Sequence, residues 1–92
     1  MKVNLIAKGY LKKYFGDEKI SIVLPEKANV SDLLIQINQI MGDHIPEFLW
    51  NKAESRFRGP VVITLNKKVV TDLSVNIFDG QEIRLYKLLV GG

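Results

Sequence analysis

Glu82-Ile83-Arg84-Leu85-Tyr86-Lys87-Leu88-Leu89-Val90-Gly91-Gly92 closes the 92-residue sequence. Its first part alternates, with Ile83 and Leu85 on one side and Arg84, Tyr86 and Leu88 on the other. Side chains with period two are the mark of a strand with one buried face. Leu89-Val90-Gly91-Gly92 then runs on with no further strand signal. Glycine has no Cβ, so a Gly-Gly end can pass a narrow channel or approach another group closely. The plain alternative is an ordinary frayed end.

Reading outward, Asp79-Gly80 is a tight-turn signal just before this strand. Thr71–Phe78 reads as a loop anchored by Leu73, Val75, Ile77 and Phe78. Residues 60–66 form a further strand, with Val61, Ile63 and Leu65 set against Val62, Thr64 and Asn66. Asn66-Lys67 is a turn from which Val69-Val70 pairs back. At the other end of the chain, residues 2–8 place Val3, Leu5 and Ala7 on one side, with Ile6 breaking the polar side. Residues 19–24 alternate again, with Ile20, Ile22 and Leu24 inward, until Pro25 stops the strand. Tyr10–Asp17 between them reads as a loop, held on the core by Tyr14 and Phe15.

Leu33, Leu34, Ile37, Ile40 and Met41 make one apolar stripe at helical spacing. Asn29 or Ser31 can cap a helix over 30–41, Asp32 suits its positive end, and Gly42 ends it. Pro46 fits the first turn of a short second helix, with Phe48, Leu49 and Ala53 as its apolar side. Trp50 is expected to pack rather than to bind a ligand.

Composition excludes several classes. An apolar share of 47% with 25% charged residues is ordinary for one globular domain. No apolar run reaches the ~18 residues of a membrane span. The N-terminus lacks a signal peptide's h-region, so a cytoplasmic location is expected. The absence of cysteine removes disulfides, thiolate metal sites and a thiol nucleophile. Lys12-Lys13 and Lys67-Lys68 are pairs rather than blocks, which favours solvated lysines over a nucleic-acid footprint. His44 stands alone and the carboxylates show no paired spacing for acid–base work.

Two strands, a helix and then more strands make an α+β chain with the helix on one sheet face. The first and last strands are both strongly apolar, so both are expected at the centre, adjacent and parallel, in a mixed sheet. The pattern allows a ubiquitin-like β-grasp domain over residues 1–88, followed by a tail at 89–92.

Several segments resemble the ThiS and MoaD sulfur-carrier families. Phe78-Asp79-Gly80-Gln81-Glu82-Ile83 is similar to their Asp-Gly turn and final strand, with Gly91-Gly92 at the matching distance. Val61–Asn66 resembles their strand ending in Val-Asn-Gly. Tyr14-Phe15-Gly16, Leu24-Pro25-Glu26 and Val30–Leu34 are similar to segments of the molybdopterin-synthase small subunit, the nearest match. Lys67 replaces the usual glycine, Gln81 an aspartate, and Lys87-Leu88 a Pro-Pro pair. The segment Ile45–Arg58 is an insertion relative to ThiS-type carriers.

The resemblance implies a protein that is a substrate rather than an enzyme. An ATP-dependent activating enzyme would adenylate the Gly92 carboxylate, and a sulfur donor protein would turn it into a thiocarboxylate for molybdopterin or thiamine thiazole synthesis. ATP would be used by that enzyme, with no cofactor bound permanently to this chain. The large subunit of molybdopterin synthase is a further implied partner; nucleic acid and membrane are not. Arg84, Tyr86, Leu88, Leu89, Val90 and Gly91 are the expected partner-binding residues, extended by Ile6 and Val62. Two readings stay open beside it: a ubiquitin-like modifier conjugated through Gly92, and an interaction module whose Gly-Gly is incidental.

Overall fold

β1 (Lys2–Lys8) buries Val3, Leu5 and Ala7, the three residues that its alternation turns to one side. The computed structural model describes residues 1–87. β2 (Ile20–Val23) lies antiparallel to β1, with Leu5 opposite Ile20 and Val3 opposite Ile22. On the other side of β1 runs β7 (Glu82–Lys87), parallel, with Leu5 beside Ile83 and Ala7 beside Leu85. β5 (Val61–Leu65) pairs antiparallel with β7, and β6 (Lys68–Val70) completes the sheet in the order β2-β1-β7-β5-β6. The first and last strands are therefore central and parallel, as the alternation predicts.

α2 (Val30–Met41) covers one face of this sheet. Asn29, not Ser31, caps it: the Asn29 side chain accepts from the Asp32 backbone N–H at 2.9 Å, and the Asp32 carboxylate accepts from the Asn29 N–H at 2.9 Å. Two otherwise unpaired donors are satisfied reciprocally. Val30, Leu33, Leu34 and Ile37 join Leu5, Ile22, Ile83 and Leu85 in one core. This is the mixed, five-stranded, helix-covered sheet of a ubiquitin-like β-grasp fold.

Four local expectations are corrected. Tyr10–Asp17 is not a plain loop: Gly9–Leu11 makes a 3-10 turn and Lys12–Phe15 the short helix α1, because Leu11 and Phe15 are both buried. The chain's short second helix is this one, and the segment after Pro46 takes another form. There the Leu49 and Trp50 N–H groups close one turn on Pro46 O (3.0 and 3.1 Å), and β3 (Trp50–Asn51) then pairs with β4 (Arg56–Phe57) as a hairpin. The Asn51 side chain accepts from the Glu54 N–H, and Ser55 takes φ 53°, so a turn replaces the second helical turn. Leu49 is buried, while Phe48 and Ala53 face solvent.

Gly42 does not end α2 by a left-handed conformation, since its φ is −55°. Its lack of a side chain matters instead, because a Cβ there would lie 2.4 Å from Asn38 Oδ1. Ile40, counted in the apolar stripe, is exposed, and Met41 is only partly buried. Trp50 packs as expected and is 1% exposed.

Candidate functional site

The Asp79-Gly80 turn sets the last strand beside the first. The Lys2 N–H donates to the Asp79 carboxylate at 2.7 Å, and the Gly80 N–H donates to Lys2 O at 2.8 Å. Gly80 takes φ 81°, a conformation that costs glycine nothing. From there β7 runs up the middle of the sheet to Lys87. Residues 88–92 lie outside the described residues, and with them the expected site residues Leu88, Leu89, Val90, Gly91 and Gly92 and the expected tail at 89–92.

Arg84 and Tyr86 are described, and both are half-buried on the face away from α2, because Ile83 and Leu85 take the core side. The register brings the expected neighbours to them. Ile6 of β1 and Thr64 of β5 flank Arg84, while Lys8 and Val62 flank Tyr86. The open sheet face thus has an apolar centre of Ile6, Val62 and Tyr86, as the alternation implies. Val23 on one edge strand and Val69 on the other, both exposed, extend this face. Residue counting missed them because their place depends on which strands pair, not on their own neighbours in sequence.

Charge on this face is organised by Arg84. Its Nε donates to Glu82 Oε1 at 2.7 Å, and its Nη2 lies 2.6 Å from the same oxygen. Lys19 Nζ stands 3.8 Å from the other Glu82 oxygen. Arg84 therefore holds the Glu82 carboxyl below the usual carboxylate range. The Tyr86 hydroxyl, and then Glu82, hold the Arg84 guanidinium above the ordinary arginine value. A guanidinium fixed on a carboxylate presents its remaining donors at a set place between Ile6 and Thr64. Beside it Thr64 is 6% exposed, and its hydroxyl has no hydrogen-bond partner among the described residues.

His44 is exposed and apart from this face, past the end of α2. Among the described residues no group of three or more His, Asp or Glu side chains is placed to hold a metal ion. No helix among them is long and apolar enough to cross a membrane.

No family model matches the chain, and no curated protein sequence matches it. Solved structures do. SAMP1 from Haloferax volcanii superposes with a TM-score of 0.81 at 14% identity, over 100% of this chain and 100% of that one. A putative molybdopterin converting factor, subunit 1, from Pyrococcus furiosus gives 0.70 at 20% identity, over 96% and 98% of the two chains. A chain of the BexX/CysO complex of Amycolatopsis orientalis gives 0.61 at 18% identity, over 98% and 99%. At these identities the likeness is one of fold, extending from end to end.

Proposed function

We propose that this chain is a sulfur carrier whose reactive group is the Gly92 carboxylate. The observation that carries the reading is the register of β7. It lies between β1 and β5, so the chain leaves the centre of the sheet beside the open face of Ile6, Val62, Arg84 and Tyr86. A partner docked on that face has the Gly91-Gly92 end within reach, since five extended residues span at most about 17–18 Å. The end-to-end likeness to a putative molybdopterin converting factor subunit and to the BexX/CysO complex supports this reading.

A carboxylate is a poor acyl donor. An adenylating enzyme brings a Gly92 oxygen to the α-phosphate of ATP; the new P–O bond forms and pyrophosphate leaves. Hydrosulfide delivered by a donor protein then attacks the acyl carbon, the C–O bond to AMP breaks, and AMP departs with the oxygen while the new acyl-SH group loses its proton. The chain has no cysteine, so the sulfur comes from the partner. The product is a thiocarboxylate that passes its sulfur on in molybdopterin or thiamine thiazole synthesis. In this reading ATP belongs to the enzyme, the chain is substrate rather than catalyst, and the large subunit of a synthase receives it in the cytoplasm. Gly91 and Gly92 thread the active site, while Arg84, Tyr86, Leu88, Leu89 and Val90 contact the partner.

The likeness to SAMP1, a small archaeal modifier protein, favours a second reading in which Gly92 forms an isopeptide with a lysine. Both begin with adenylation, so the product separates them. Intact mass after incubation with an adenylating enzyme, ATP and a sulfur donor is the test. Replacement of one terminal oxygen by sulfur supports the carrier. Covalent attachment to a second polypeptide supports the modifier, and an unchanged mass refutes both.

A further inference from the structure

The end of the molecule where β7 stops carries a ring of contacts that borders the open sheet face at Lys8 and Tyr86 and runs on beyond it. β1 ends with Lys8 beside Tyr86, and β5 begins with Val61 beside Lys87. Lys87 Nζ donates to Arg58 O at 3.4 Å, and Arg58 Nε donates to Glu47 O at 2.8 Å. Phe48 follows, its ring edge-on to Tyr14 at 6.3 Å between centroids. Tyr14 stands 5.7 Å from Tyr10, with the two hydroxyls 3.2 Å apart. Tyr10 lies just past Lys8, which returns the path to the sheet. The contacts form a rim beside the point from which residues 88–92 continue.

The rim is aromatic and basic. Phe48 is 63% exposed and Tyr10 40%. A single exposed aromatic means little, but a cluster of them marks a contact site. Lys13 Nζ sits 5.8 Å from the Tyr14 ring centre, and Lys12 beside it is exposed. Among the described residues Lys8, Lys12, Lys13, Arg58 and Lys87 form no ion pair, whereas Lys19, Lys52 and Arg84 do. The carboxylates nearby are Glu47, Glu82, which feels the charge of Lys8 while paired to Arg84, and, past α1 toward the β2 edge, Asp17 and Glu18.

We propose that this aromatic, basic rim docks an acidic surface with an apolar centre on the adenylating enzyme. The inference rests on the reading of Gly92 as the adenylated residue. An enzyme holding Gly92 must stand within about 17–18 Å of Lys87 along the chain. Its surface then faces the end of the molecule that carries the rim, and charges brought within a Debye length of about 8 Å there escape most of the screening. Opposite charge there speeds encounter and sets orientation, and Phe48 supplies the desolvated anchor that such interfaces concentrate.

Adenylation kinetics, read as pyrophosphate release against carrier concentration at several ionic strengths, test the rim. The rim variant is Lys12→Glu with Lys13→Glu. The control, Lys27→Glu with Lys68→Glu, makes the same charge change away from the rim. The rim variant is expected to raise KM about tenfold, the low end of electrostatic steering, with kcat unchanged and the salt dependence flattened. Phe48→Ser, at an exposed position that leaves the core intact, is expected to raise KM without altering salt dependence. Equal effects in rim variant and control overturn the rim and leave the carrier reading standing, as does a fall in kcat with KM unchanged. No pyrophosphate release from the unaltered chain overturns both.

Discussion

The indole N–H of Trp50 donates to Asn38 Oδ1 at 2.7 Å, and this bond ties the β3–β4 hairpin to the last turn of α2. The Asn38 amide nitrogen donates in turn to Lys52 O and Ser55 Oγ, both at 3.0 Å. One side chain thus fixes both ends of the hairpin turn. Gly42 leaves room for it, since a Cβ there would meet Asn38 Oδ1 at 2.4 Å.

Asn38→Ala is expected to lower stability by about 1–3 kcal/mol, because it leaves the buried indole N–H unpaired. Gly42→Ala is expected to destabilise as well, although its φ of −55° suits alanine, because Asn38 is held by three bonds and yields only by losing them. In the Asn38→Ala background the obstacle is gone, and Gly42→Ala should be neutral or stabilising. Urea unfolding of the two single variants and the double closes the cycle. Additive losses would contradict the coupling.

Lys67→Gly should stabilise the protein. Asn66 and Lys67 take φ 48° and 76°, the two left-handed positions of the hairpin turn between β5 and β6. Asparagine tolerates that region, but lysine is strained there by about 1–2 kcal/mol. Glycine removes the strain and gives back part of it as unfolded-state entropy. A net gain of about 1 kcal/mol corresponds to a Tm rise of about 4–8 °C. A lower Tm would mean that the turn is built otherwise.

The Lys67 strain also shows what was legible in the sequence. Strict alternation at Val3-Leu5-Ala7 and Ile83-Leu85 gave the central strands, because period two leaves one face to bury. The Asn66-Lys67 and Asp79-Gly80 turns were readable because turn conformations restrict residue type. The 44–58 segment was not. Pro46 does start a turn, but Trp50 has a partner on α2, and that long-range bond outweighs local helix signals. Four residues of the open sheet face, Ile6, Val62, Arg84 and Tyr86, were legible. Val23 and Val69 were not, since only the pairing of β2 and β6 puts them there.

Acid should weaken the fold partly through Glu82. Arg84 depresses its carboxyl pKa in the folded state. A depressed folded value stabilises above the unfolded pKa of about 4.3 and is lost as pH falls through the folded value. Ser74, through its backbone N–H and then its hydroxyl, lowers Asp72 in the same sense. Glu82→Gln should therefore narrow the stability difference between neutral and strongly acidic solution without abolishing it. Urea midpoints across that range are the check, and an unchanged acid limb would rule out the Glu82–Arg84 contribution.

Deleting Gly92, or adding one residue after it, should abolish adenylation and leave the fold intact. The core of the described chain closes at Leu85, upstream of the affected end, and glycine has no side chain to bury. One residue moves the carboxylate by about 3.3–3.6 Å. A displacement of about 1 Å from in-line attack on the α-phosphate already costs ~10²-fold. Gly91→Ala should also spare the fold and slow adenylation, because a Cβ narrows the passage through the enzyme. Thermal unfolding and pyrophosphate release, measured on the same samples, separate the two effects. Full release from the chain lacking Gly92 would sink the carrier and modifier readings together, and leave the open sheet face as the contact surface of a plain interaction module.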